Sequence, residues 1–220
     1  MRHARASLVL ALSGRRLLAP ATLLAFAVAG VFAYRPNPVQ GSWAVTALLS
    51  TVFCAWLVAA VEREVGPGAG AILTVLASGP GRGWQGRLAL VAVLTVVVTL
   101  AFMIWPAASS AFDRTPRAQD VGGAALAHLA CGALGGVLAL LLAAPARPAT
   151  AFALIFGAWL ASIGLAGALG PLAGPAGVAD ALADAPDNTV SGALVLACAV
   201  VFAQAGLLAY GARRLARWRG

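Results

Sequence analysis

The sequence contains no lysine, since all fifteen of its basic residues are arginines. A Walker A loop needs a lysine to contact the phosphates of ATP, and a Schiff-base enzyme needs a lysine amine. The chain supplies neither group. We predict that it is not an enzyme and that it does not hydrolyse ATP by the usual route on its own.

Charged residues are scarce as a whole. Seven residues are acidic, 10% of the chain is charged and 61% is hydrophobic. Soluble domains average about 25% charged residues, and the mean hydropathy here is +0.91. The abundance of arginine, alanine, glycine and proline is typical of a GC-rich bacterial genome. The composition therefore favours a bacterial membrane protein.

Cysteine is also rare. Cys54, Cys131 and Cys198 are widely separated, and each lies inside an apolar run. No two of them have the spacing of metal ligands, and free cysteine commonly packs as a small buried hydrophobic residue. We predict three buried, reduced cysteines, with no metal and no cofactor held by this chain.

Long apolar runs dominate what is present. A membrane-spanning helix needs about 20 mostly apolar residues. Six stretches meet this requirement, at residues 17–34, 42–61, 87–105, 121–144, 149–169 and 190–211. We predict an all-α polytopic membrane protein in which residues 1–220 form a single transmembrane domain of six helices.

The distribution of the arginines predicts the orientation, because cytoplasmic loops are enriched in basic residues. Twelve arginines fall on one side of the six predicted spans, namely Arg2, Arg5, Arg15, Arg16, Arg63, Arg82, Arg87, Arg147, Arg213, Arg214, Arg217 and Arg219. Only Arg35, Arg114 and Arg117 fall on the other side. Both termini are therefore predicted to be cytoplasmic. The net charge of +8 is explained by this topology, and we expect no nucleic-acid partner.

The predicted spans contain few polar side chains. The candidates for a transport pathway are Thr46, Ser50, Thr95, Thr99, His128 and Gln204. Proton-coupled carriers usually relay protons through several intramembrane Asp, Glu or His residues, and only one histidine is available. His128 is either a packed, hydrogen-bonded residue or a proton relay, and the first reading is favoured. Secondary active transport is disfavoured.

Small residues recur at helical spacing. Gly132 and Gly136 form a G-x-x-x-G pair, and Ala153, Gly157 and Ala161 repeat every four residues. Such stripes allow helix backbones to approach closely in a membrane. We expect these stripes to pack the helices of the bundle against one another, and packing against a second copy of the chain is the alternative.

Asp180 and Asp184 are spaced i and i+4 and so share a helix face. We expect this face to be solvated, and an external cation site is the alternative.

The connection from residue 62 to residue 86 is longer than a simple turn requires. Glu62, Arg63 and Glu64 are expected to extend the second helix, and Gly66-Pro67-Gly68 to break it. Residues 71–77 (AILTVLA) then predict a short helix on the membrane surface, before a second break at residues 78–83. The segment GRGWQG matches G-x-G-x-x-G, but that fingerprint needs a preceding strand, and none is predicted. Long connections without a function are uncommon.

At this segment the chain resembles the permease subunits of the type-2 class of ABC transporters, which are mainly exporters. The resemblance covers six spans with both ends inside, the motif Arg63-Glu64-Val65-Gly66 and a turn at residues 78–82. It implies that the cytoplasmic segment is a coupling helix that docks on a separate ATPase subunit. It also implies short re-entrant helices between the fifth and sixth spans.

The resemblance implies a bacterial inner-membrane complex with a second copy or a homologous permease. The ATPase subunit would bind ATP and Mg²⁺, and the cargo would be amphipathic or hydrophobic. Residues assigned to ATPase coupling are Glu62, Arg63, Glu64, Gly66, Ile72, Leu73, Leu76 and Arg82. The alternatives are a non-transporting membrane scaffold and a small membrane enzyme or carrier.

Overall fold

The computed structural model describes residues 18–33, 36–76, 80–143, 148–185 and 190–218. Within these ranges, the side chains of residues 64–76, 80–82, 143, 148, 149, 152, 171 and 215–218 lie outside the description. The described residues are almost entirely helical. They contain no β-strand, only an isolated bridge between Asn37 and Phe112.

Seven α-helices form the described fold. They are α1 (Leu18–Val31), α2 (Val39–Leu76), α3 (Pro80–Ala108), α4 (Ala118–Ala143), α5 (Pro148–Leu169), α6 (Pro175–Ala183) and α7 (Gly192–Trp218). A 3-10 turn at Gly170–Leu172 joins α5 to α6. The predicted all-α class is confirmed, and each of the six predicted spans overlaps one of these helices.

Four helices are long and apolar enough to cross a membrane: the segments Val39–Arg63, Gly83–Ala108, Ala118–Leu142 and Gly192–Arg214. Two shorter apolar helices, Leu18–Val31 and Ala153–Leu169, accompany them in the described residues. Large hydrophobic side chains remain exposed on the outside of the bundle, such as Phe26 at 68% and Leu207 at 72%. Exposed apolar surface of this kind suits contact with lipid.

The predicted break after the second span is wrong, because α2 continues without interruption from Val39 to Leu76. Its 38 residues rise by about 57 Å, well beyond the roughly 30 Å hydrocarbon core of a bilayer. Glycine costs only about 1 kcal/mol in a helix, although proline costs about 3 kcal/mol. Residues with high helix propensity precede and follow Gly66-Pro67-Gly68, including Glu64 before it and Ala69 and Ala71 after it.

The second predicted break, at residues 78–83, is wrong over part of its length. Helix α3 begins at Pro80, so Gly81, Arg82 and Gly83 form its first turn. Proline is favoured at the first position of a helix because its missing N–H has no intrahelical acceptor there. Residues 77–79 lie outside the described residues.

The centre of the bundle is the contact between α2 and α4, onto which α3, α6 and α7 pack. A Cβ atom on Gly132 would lie 2.9 Å from Cys54 Sγ, and one on Gly136 would lie 2.6 Å from Val91 Cγ1. Both glycines therefore permit the close packing that their spacing predicts. Gly135 lies closer still to its neighbouring helix, α2, because a Cβ on Gly135 would overlap the backbone carbonyl of Thr51.

Two loops meet at one end of the bundle, named here the Asn37 end. The Asn37 amide donates to Ala111 O at 3.1 Å, and the Asp113 amide donates to Asn37 O at 2.9 Å. Phe112 packs edge-on against Phe32 and Trp43, with ring centroids 5.7 and 4.9 Å away. The α1–α2 and α3–α4 connections are thereby joined.

An ion pair caps α4 at the same end. Asp120 accepts two hydrogen bonds from the Arg114 guanidinium, at 2.6 and 3.2 Å. It also accepts one from the Arg117 backbone amide at 2.9 Å. Since Asp120 is the third residue of α4 and Arg117 precedes the helix, this is the carboxylate half of a capping box. The three bonds stabilise the start of the span.

The short helix α6 lies inside the bundle. Pro175 O is 4.0 Å from Cys131 Sγ, while Leu182 and Leu194 both lie close to Gly123. Gly123 and Cys131 are about 12 Å apart along α4 at 1.5 Å per residue. Helix α6 therefore runs antiparallel to α4, from near the middle of the Ala118–Leu142 span toward the Asn37 end.

Candidate functional site

His128 is completely buried between α2, α3 and α4. Its Nδ1 lies 2.7 Å from Ala124 O, which can only accept, so Nδ1 carries a proton and donates. In the neutral ring Nε2 then accepts a hydrogen bond from the Thr46 hydroxyl at 3.0 Å. This tautomer is assigned from the hydrogen-bond network. His128 therefore has the geometry of a satisfied, packed residue.

Five of the six predicted pathway residues are buried where α2 and α3 pack around α4, a region named here the α2–α4 seam. They are Thr46 and Ser50 on α2, Thr95 and Thr99 on α3, and His128 on α4. Ser50 donates to Ala47 O at 2.6 Å and lies 3.4 Å from His128 O. Thr95 approaches Gly132, and Phe102, on the turn after Thr99, lies 5.8 Å from the His128 ring.

The seam is closed to solvent, and only some of its polar groups form hydrogen bonds. The Thr99 hydroxyl and Trp43 Nε1 are buried and have no hydrogen-bond partner in the described structure. The hydroxyls of Thr95 and Thr51 lie beside the buried thiols of Cys54 and Cys131. The seam therefore packs helices through small polar residues, and none of its five residues lines the cleft described below.

Two threonine-to-valine substitutions test the hydrogen bonding in the seam, and one is the control for the other. Thr46→Val removes the hydroxyl that His128 Nε2 needs, and a buried unpartnered nitrogen costs about 1 kcal/mol in a membrane bundle. Thr99→Val makes the same change of side chain but removes a hydroxyl that already lacks a partner in the described residues, so stability should stay equal or rise slightly. Thermal unfolding in mild detergent measures both. An equal loss in the two variants would contradict this account.

Gln204, the sixth pathway candidate, lies elsewhere. It lines an open cleft of about 540 Å³ bordered by α4, α5, α6 and α7. Ser162, Trp159 and Thr51 also line it, and the remaining wall is largely aliphatic. Trp159 Nε1 donates to Leu48 O at 3.1 Å, which anchors α5 to α2. Neither Trp159 nor Thr51 was among the predicted pathway residues.

A second cleft of about 1030 Å³ lies between α1 and α3. Its wall is almost wholly hydrocarbon, with Phe26, Ile104 and Trp105 among the lining residues. Both clefts thus offer apolar surfaces. The Gln204 cleft also has several polar groups in its wall, and the cleft between α1 and α3 is almost wholly hydrocarbon.

The residues assigned to ATPase coupling are only partly described. Glu62 forms a salt bridge with Arg87, with Nε and Oε2 3.3 Å apart, and Arg63 is half-buried beside it in sequence. Glu64, Gly66, Ile72, Leu73 and Leu76 lie on the last part of α2, and Arg82 lies in the first turn of α3. The side chains of these six residues are outside the described part of the structure.

Other chemical candidates have structural explanations. Asp180 and Asp184 are both exposed, in line with a solvated face. No group of three His, Cys, Asp or Glu side chains in the described ranges could hold a metal ion. The Ser191 hydroxyl accepts the Leu194 amide at 3.1 Å, which makes Ser191 the N-cap of α7. The three cysteines are buried and free, as predicted.

Comparisons with known protein families, curated proteins and solved structures find no match to this chain. The resemblance to ABC permease subunits therefore stays a prediction. The described residues form a bundle of helices, four of which are long and apolar enough to cross a membrane.

Proposed function

We propose that this chain is the membrane-spanning permease subunit of an ATP-driven ABC transporter, exporting an amphipathic or hydrophobic substrate. In this proposal α1 and α5 cross the bilayer together with the four longer helices, and both termini are cytoplasmic. A separate ATPase subunit supplies the lysine, Mg²⁺ and energy. A second copy or a homologous permease completes the pathway.

The projection of α2 carries the proposal. The apolar run of α2 ends at the charged residues Glu62, Arg63 and Glu64, but the helix continues for twelve more residues to Leu76, a rise of about 18 Å. This projection contains the apolar sequence AILTVL. On a helix, positions 72, 73 and 76 share one side. An apolar helical face beyond the bilayer is stabilised when a partner protein covers it.

The base of the projection is tied to the rest of the bundle. The Glu62–Arg87 salt bridge joins α2 to α3 where the span ends. Helix α2 also forms the principal contact with α4. A displacement of the projecting end by an ATPase subunit would therefore reach the core through one continuous helix.

The apolar clefts support the substrate class. The cleft between α1 and α3 has an almost wholly hydrocarbon wall, and the Gln204 cleft adds a few polar groups to an aliphatic wall. Ligand sites usually combine an apolar surface with a few polar groups. An amphipathic molecule fits this pattern better than a strongly charged one.

The closed α2–α4 seam favours a second function, a non-transporting scaffold subunit. The hydroxyls of Thr95 and Thr99 are buried away from solvent, and that of Thr99 has no hydrogen-bond partner in the described residues. The seam therefore contains no open pathway for a substrate through a single copy of the chain. A scaffold would need no ATPase, and this difference separates the two functions.

Copurification tests the proposed function. The tagged chain is expressed in its own host and isolated in mild detergent, as wild type and as Glu64→Arg with Leu73→Asp. We expect an ATPase subunit to copurify with the wild type and to be lost, by at least about tenfold, from the double variant, since a docked charge reversal and a buried acid each cost several kcal/mol.

A matched control repeats the same chemical changes at the opposite end of the bundle. Asp113 and Val190 are exposed, so Asp113→Arg with Val190→Asp should retain the ATPase. Gel filtration and thermal unfolding confirm that all variants fold. Absence of any ATPase from the wild-type preparation would favour the scaffold.

A further inference from the structure

One exposed face of α7 changes from apolar to basic along its length. Six exposed residues recur on α7 at intervals of three or four and so share this face, which is named here the α7 stripe. They are Leu196, Ala199, Ala203, Leu207, Tyr210 and Arg214. From Leu196 to Leu207 the helix rises by about 16 Å, which is about half of the roughly 30 Å hydrocarbon core of a bilayer. The apolar part of the stripe therefore matches the depth of one lipid leaflet.

Tyr210 positions the guanidinium of Arg214 at the polar end of the stripe. Arg214 Nε donates to the Tyr210 hydroxyl at 3.0 Å, and Arg214 Cζ lies 5.4 Å from the centre of the Tyr210 ring. Because Nε is occupied by this bond, the N–H groups of the terminal nitrogens remain for another acceptor. The apolar segment of α7 ends at Arg214, and tyrosine is enriched where a bilayer meets water. The pair therefore lies at the depth of lipid head groups.

The positive charge at this end of α7 is not neutralised by the described residues. Arg87 pairs with Glu62, whereas Arg213 and Arg214 are exposed and have no acidic partner among the described side chains. From residue 190 to residue 220 the sequence contains four arginines and no acidic residue. Clusters of arginine beside a membrane span attract anionic lipids. The charge and the apolar stripe thus complement the two parts of such a lipid.

We propose that the end of α7 binds an anionic phospholipid, such as phosphatidylglycerol. The terminal N–H groups of Arg214 donate to the phosphate oxygens, since a planar guanidinium matches phosphate with paired hydrogen bonds. Arg213 adds positive charge, and the Tyr210 O–H donates to a phosphate or ester oxygen. One acyl chain lies along the stripe toward Leu196. Binding needs neither an ATPase subunit nor a second copy of the chain, so it is independent of the proposed function.

Photolabelling tests the site. The purified chain is placed in phosphatidylcholine nanodiscs that contain a small fraction of phosphatidylglycerol with a diazirine on one acyl chain, irradiated, and mapped by peptide mass spectrometry. We expect the label to concentrate on α7 between residues 196 and 207. Replacing part of the phosphatidylcholine by unlabelled phosphatidylglycerol should displace the label, and inorganic phosphate in the buffer should not. Displacement by inorganic phosphate, or label spread evenly over α1, α5 and α7, would overturn the proposal.

Arginine substitutions test the head-group contact. Each arginine at an anionic membrane surface strengthens binding about fivefold. Arg214→Gln should therefore lower labelling of the stripe about fivefold, and Arg213→Gln with Arg214→Gln about thirtyfold. Arg117→Gln is the matched control, because Arg117 is exposed at the Asn37 end, beside the Asp120 carboxylate, and should label like the wild type. Unchanged labelling of the double variant, or an equal loss in Arg117→Gln and Arg214→Gln, would also overturn the proposal.

Discussion

Gly135→Ala is expected to destabilise the protein by about 3 kcal/mol or more. The added methyl group would overlap the Thr51 carbonyl, which belongs to the backbone of α2 and cannot rotate away. Helices α2 and α4 would have to separate at their principal contact, and overpacking of a core typically costs about 1–3 kcal/mol, occasionally more. Unfolding by denaturant or heat in mild detergent, followed by tryptophan fluorescence, measures the loss.

Gly157→Ala is the matched control for this substitution. It also lies within a helix, α5, but a Cβ there would have no neighbour within 4 Å. Alanine should then stabilise the helix by about 0.5–1 kcal/mol, because glycine loses more backbone entropy on folding. Equal stability of the two variants would contradict the packing of α2 against α4.

Arg114→Gln is expected to cost about 2–3 kcal/mol. The Asp120 side chain is only 1% exposed, whereas that of Arg114 is 29% exposed. Removing the guanidinium leaves a buried carboxylate with a single hydrogen bond, from the Arg117 amide. Breaking one side of a buried ion pair costs about 3–5 kcal/mol, and the partial exposure of Arg114 reduces this figure. Thermal unfolding measures the change.

Two comparisons isolate the buried charge. Adding Asp120→Asn to Arg114→Gln removes the unpaired charge and should recover part of the stability. Asp113→Asn, at an exposed acid of the same connection, should leave stability within about 0.5 kcal/mol of wild type. If Asp113→Asn were as harmful as Arg114→Gln, general charge balance rather than the ion pair would stabilise this end.

The helices follow from the sequence because a run of about 20 apolar residues has few other solutions in lipid. The predicted stretch 121–144 corresponds to Ala118–Ala143, and 149–169 to Pro148–Leu169. The uninterrupted course of α2 could not be predicted from the sequence in this way. Gly-Pro-Gly ends most helices in water, so local signals favoured a break where the helix continues.

The seam could have been found from spacing alone. Thr46 and Ser50, and likewise Thr95 and Thr99, are four residues apart and share a helix face. Gln204 could not be placed in this way, because only tertiary contacts decide that α7 packs on another side of α4. The closeness of Gly135 to Thr51 likewise depends on the crossing of two helices, since the G-x-x-x-G pattern marks Gly132 and Gly136 instead.

The buried start of α6 had a partial signal in the sequence. Gly174-Pro175 is a typical helix start, with proline at the first position, and the resemblance to the permease subunits implied short re-entrant helices between the fifth and sixth spans. Its depth in the bundle depends on the contacts of Pro175 with Cys131 and of Leu182 with Gly123. These contacts are not encoded in any local pattern.

Photocrosslinking from position 73 in living cells tests the central claim most directly. A benzophenone amino acid replaces Leu73 on the projecting part of α2, and the crosslinked product is identified by mass spectrometry. The proposed function predicts an adduct with a cytoplasmic protein that carries a Walker A lysine. Adducts with lipid alone, or with no ATPase, would contradict a role for the projection in coupling.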